Sequence, residues 1–62
     1  MNNTKHELWV VQKSTWEGWQ TLTTETTQQD AQRDKERLVR AGTSPSILRV
    51  VSTASDLYLY SR

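Results

Sequence analysis

No cysteine occurs in this chain, so no disulfide can staple it and no thiolate can bind a metal. At 62 residues it lies near the lower size at which a domain folds without such a staple. It is expected to form one domain, residues 1–62, with its few apolar side chains gathered into one core. Those side chains are scarce: 34% of the residues are apolar and Phe is absent. So thin a margin favours stabilisation by a second copy or by a partner.

Residues 1–5 show no pattern and are expected to be disordered. From Glu7 to Lys13 the sequence E-L-W-V-V-Q-K reads as a strand. Gly18 then supplies the positive φ that a short hairpin loop needs, and a second strand runs from Trp19 to Thr24. The run T-E-T-T-Q-Q-D opens a helix. Thr26 with Gln29, or Thr27 with Asp30, has capping-box spacing, and Asp30 suits the positive end of the dipole. The helix is expected over residues 28–41 and should stop at Gly42, with Pro45 just beyond. Ala31, Lys35, Leu38 and Val39 share its apolar side. Ile47–Ser52 is the next strand, and Leu57-Tyr58-Leu59-Tyr60 alternates as a short fourth strand would. The expected fold class is α+β: a small antiparallel or mixed sheet of three to four strands with one helix on one face. The element order is ββαβ, or ββαββ if the tail is a strand. The third strand is expected to run parallel to one member of the hairpin.

One helix covers one face of a sheet, yet both faces here carry large apolar groups. With Leu8, Val10, Leu48 and Val50 against the helix, Trp9, Val11, Ile47 and Val51 point the other way. Leu57 and Leu59 would join the first set, and Tyr58 and Tyr60 the second. Trp19 fits either face, because the loop sets its register. An open face this apolar needs a cover: the folded-back tail, a second copy forming a homodimer, or a foreign protein. Trp16 lies in the hairpin loop, where its indole either folds back onto Trp19 and the strand ends or serves as an anchor for a partner's pocket. Trp16, Trp9, Tyr58 and Tyr60 are thus the candidate residues for binding a protein partner.

The net charge of +1 argues against imitation of DNA and gives little drive towards nucleic acid. Arg33, Arg37 and Arg40 nonetheless share one outward helix face, and with Arg49 they form the alternative, nucleic-acid-binding set. The competing reading of the stripe is a solvated face balanced by Asp34 and Glu36. Catalysis is not expected. His6 is the single histidine and lies in a terminal segment, where a general base would lack a fixed position. With no histidine pair and no glycine-rich phosphate loop, neither a metal nor a cofactor is expected. The apolar runs are too short to span a bilayer, and the N-terminus lacks the order of a signal peptide. A cytoplasmic location without membrane contact is the expectation.

The succession W-V-V-x-K, G-W-x-x-L, T-T-x-x-x-A and L-R-V-V, from Glu7 to Ser52, resembles the short accessory proteins of phages and prophages. The likeness is one of element pattern and carries no site residues. It implies a stand-alone binder or inhibitor of a host or defence protein.

Overall fold

The computed structural model describes residues 7–59. Strand β1 (Trp9–Thr15) and strand β2 (Gly18–Glu25) form the expected hairpin. Helix α1 (Gln28–Arg40) follows, then a single 3₁₀ turn (Pro45–Ile47), strand β3 (Leu48–Ser52) and a short helix α2 (Asp56–Leu59). The sheet order is β2-β1-β3, and both pairings are antiparallel. β3 thus runs in the direction of β2 without touching it, because β1 lies between them. The expected disorder of residues 1–5 concerns a segment outside the described residues.

Local chemistry accounts for both ends of α1. Thr27 is the N-cap, and its hydroxyl accepts from the Asp30 amide at 3.1 Å, which satisfies one of the donors a helix start leaves unpaired. At the other end the Gly42 amide bonds to the Val39 carbonyl and the Thr43 amide to the Leu38 carbonyl, each at 3.0 Å. This pair of bonds is a Schellman closure, which places a left-handed residue just past the helix. Gly42 fills that position with φ 112°.

The core lies between α1 and one face of the sheet. Val11, Ala31 and Leu48 are buried at its centre, with Trp9, Leu38, Val39 and Val50 packed around them. Register explains the set. Val11 faces Val50, and Lys13 faces Leu48, and directly paired residues share a face. Here the structure corrects the expectation for β1. Trp9 and Val11, not Leu8 and Val10, are on the side of Leu48 and Val50. The consecutive apolar residues of L-W-V-V allow either parity, and Gln12 decides between them. Its partners Arg49 and Thr21 lie on the face away from α1, and the opposite choice would bury an amide unpaired against the helix.

The tail also departs from expectation. Residues 56–59 form α2, not a fourth strand, and Tyr60 lies outside the described residues. Ser55 caps this turn, its hydroxyl accepting from the Leu57 amide at 3.0 Å and its carbonyl accepting from Tyr58 and Leu59. Asp56 supplies first-turn acidity. A Ser-Asp start thus prevails over four residues of alternation.

Candidate interaction surface

The hairpin tip is a pinned turn with an indole on it. The Thr15 hydroxyl donates to the Gly18 carbonyl at 2.7 Å and accepts from the Glu17 amide at 3.2 Å. It therefore ties both sides of the loop to each other. Gly18 has φ 115°, a conformation that glycine adopts without the steric cost other residues meet. Trp16 projects from this turn with 92% of its surface exposed. Of the two positions open to it in sequence, the folded-back one is not the one adopted.

The face away from α1 is crossed by a chain of side chains linking all three strands. Arg49 on β3 donates through Nε to Gln12 Oε1 at 2.9 Å. Gln12 on β1 donates through Nε2 to Thr21 Oγ1 on β2 at 3.1 Å. The Arg49 guanidinium lies over the Trp19 ring and also donates to the Leu57 carbonyl at 3.1 Å. Partial burial lowers the Arg49 pKa from its ordinary value by desolvation. Trp19 therefore belongs to the face away from α1. Val10 and Val51, paired on that face, are themselves buried. α2 packs on β3, with Tyr58 half-buried and Leu57 and Leu59 exposed.

The aromatic candidates are therefore not brought together. Trp16 stands free at the tip, Trp9 packs with the core under α1, and Tyr58 belongs to the small tail helix. Tyr60, like His6, lies outside the described residues. The arginines separate as well. Arg33 pairs with Asp30 at 3.7 Å and Arg37 with Asp34 at 3.3 Å. These four residues and Glu25 line a cavity of about 260 Å³. Arg40 lines a different, open groove of about 400 Å³ with Gln32, Lys35, Glu36, Val39 and Pro45, while Arg49 is on the sheet.

Two features escaped the sequence reading. Asp34 is buried, not part of a solvated face; its spacing from Ala31 and Leu38, three and four residues, sets it on the sheet-facing stripe. Glu25, at the end of β2, titrates above its ordinary value. The largest cause is its side-chain hydrogen bond with Asp34, followed by desolvation and by the charges of Asp34 and Asp30, while Arg37 acts in the opposite sense.

Among the described residues no group of three or more His, Cys, Asp or Glu is placed to hold a metal ion. No helix among them is long and apolar enough to cross a membrane. No protein-family profile matches this sequence, nor does any curated protein or solved structure.

Proposed function

We propose that this chain is a small, non-catalytic protein-binding module that inserts Trp16 into a pocket on its partner. In keeping with the accessory-protein pattern, the partner is a host or defence protein, met in the cytoplasm. The observation that carries this reading is the 92% exposure of Trp16 on a turn fixed by the Thr15 hydroxyl. A tryptophan hides roughly 150–250 Å² when enclosed, worth about 4–6 kcal/mol of transfer free energy before association costs. A turn that already holds the indole outward loses little entropy in delivering it.

A foreign partner is favoured over a second copy. Self-association was expected from an open apolar face, but Gln12, Arg49 and Thr21 occupy that face and its valines are buried. The arginine set supports nucleic-acid binding less well, because Arg33 and Arg37 each have an acidic partner.

The test begins with capture of partners from bacterial lysate on the immobilised protein, with bound proteins and nucleic acids identified. Affinity for the captured species is then compared between Trp16→Ala and the triple variant Arg33→Gln, Arg37→Gln, Arg40→Gln. The proposal expects Trp16→Ala to weaken binding by about 2 kcal/mol or more, and the triple variant to bind as the parent does. A steep salt dependence that the triple variant flattens, with Trp16→Ala unchanged, would overturn it.

A further inference from the structure

Asp34 is the buried charged residue among those described, 7% exposed on the sheet-facing side of α1. Its two oxygens are treated unequally. Oδ1 accepts from Arg37 at 3.3 Å, whereas Oδ2 is buried with no N–H or hydroxyl donor. A buried carboxylate oxygen without a donor is costly, so a neighbouring group able to supply one is expected.

The elements packed around Asp34 offer few donors. On α1, Arg33 is turned to Asp30 and Arg37 is bonded to the other oxygen. On β2, the Thr23 hydroxyl is itself buried without a partner, so it is not the donor. β1 brings Trp9 opposite Glu25, and its charged residue Lys13 lies beyond the bulge, opposite Gln20. β3 brings Ser52 opposite Trp9, and the Ser52 hydroxyl donates to Glu7; Arg49 is on the other face. What remains is Glu25, the last residue of β2, which lines the same cavity as Asp34.

We infer that the Glu25 carboxyl, when protonated, donates to Oδ2 of Asp34, forming a clasp between the end of β2 and the middle of α1 that acid strengthens. Two facing carboxylates repel, and one proton between them removes the repulsion while satisfying the buried oxygen. The nearby Asp30 charge acts in the same sense, and Arg37 against it.

The pH dependence follows from the sign. Glu25 titrates higher in the folded chain than in the unfolded one. Its contribution is therefore complete below the ordinary value of 4.5 and is lost as pH rises through the folded value. This is the reverse of a salt-bridged carboxylate, which loses its contribution as pH falls.

The experiment follows carboxyl carbons by NMR and the urea midpoint by tryptophan fluorescence across the acidic to neutral range. In the parent protein Glu25 should titrate above free glutamate, and the midpoint should fall as the pH rises through that titration. Glu25→Gln supplies an amide donor at every pH, so its midpoint should lack that fall. Asp34→Asn should lower the Glu25 titration towards that of free glutamate, leaving only the smaller effects of desolvation and Asp30; if that variant does not fold, Glu25→Gln still decides. Parent and Glu25→Gln midpoints that run parallel at every pH would overturn the clasp, as would a Glu25 titration at or below that of free glutamate.

Discussion

The guanidinium carbon of Arg49 lies 3.9 Å from the centroid of the Trp19 ring, although the two residues belong to opposite edge strands with β1 between them. The arginine side chain therefore spans the sheet, and it bonds to Gln12 on the way. This arrangement ties the face away from α1 together, from β2 across to β3 and on to the Leu57 carbonyl of α2. It also fixes which side of β1 meets α1, because Gln12 has its partners on this face only.

Removing the arginine should therefore cost more than a surface contact. A cation over an indole contributes about 0.5–1 kcal/mol, and depriving a buried amide oxygen of its donor costs about 1–3 kcal/mol. Arg49→Ala is expected to destabilise the fold by about 2–3 kcal/mol, measured as a lower urea midpoint at unchanged slope. Arg49→Lys should recover only part of the loss, because an ammonium lacks the planar fork that serves ring and amide together. A parental midpoint in Arg49→Ala would contradict the network.

The helix ends make a second expectation. Thr27→Ala removes the side-chain acceptor for the Asp30 amide and should cost about 1 kcal/mol. Gly42→Ala meets no atom within 4 Å, so its cost is conformational alone, about 1–2 kcal/mol for a left-handed position. For a chain this small each kcal/mol lowers Tm by about 4–8 °C. Thermal melts followed by circular dichroism at 222 nm check both. A Gly42→Ala variant that melts with the parent would mean that the closure at Gly42 does not form.

Core truncation supplies the third. Val11 is 0% exposed at the centre of the cluster under α1. Val11→Ala removes two methyl groups and leaves a cavity, and should cost about 2–3 kcal/mol by chemical denaturation. A loss below about 0.5 kcal/mol would show that α1 covers the other face of β1.

These residues also show why some of the fold was legible and some was not. Helix caps are local: Thr27, Asp30 and Gly42 carry their meaning within a few positions, so α1 is readable almost to its ends. The hairpin is readable for the same reason, through Gly18. The parity of β1 is not local, because L-W-V-V has apolar residues on both faces, and the choice rests on Gln12 meeting Arg49, 37 positions away. A bulge between Val11 and Gln12 on the β2 side further breaks the alternation from which Trp19 would have been placed. The burial of Asp34 is not legible from its immediate neighbours: Arg33 and Arg37 suggest a solvated stripe, whereas helical spacing from Ala31 sets it against the sheet. Of the aromatic candidates among the described residues, Trp16 is the one that is exposed.

The last expectation concerns Trp16 in the free protein. An indole that is 92% exposed contributes little to the core, so Trp16→Ala should change stability by no more than about 0.5 kcal/mol. The other tryptophans have neighbours, Trp19 under the Arg49 guanidinium and Trp9 against the core. Iodide should therefore quench one accessible fluorophore strongly and the others weakly, and Trp16→Phe should abolish the strongly quenched component. The two measurements together separate a free anchor from a packed one. A packed indole would resist iodide, and its truncation would lower the urea midpoint. If both occur, the turn does not hold Trp16 outward and the binding surface has to be sought elsewhere on the sheet.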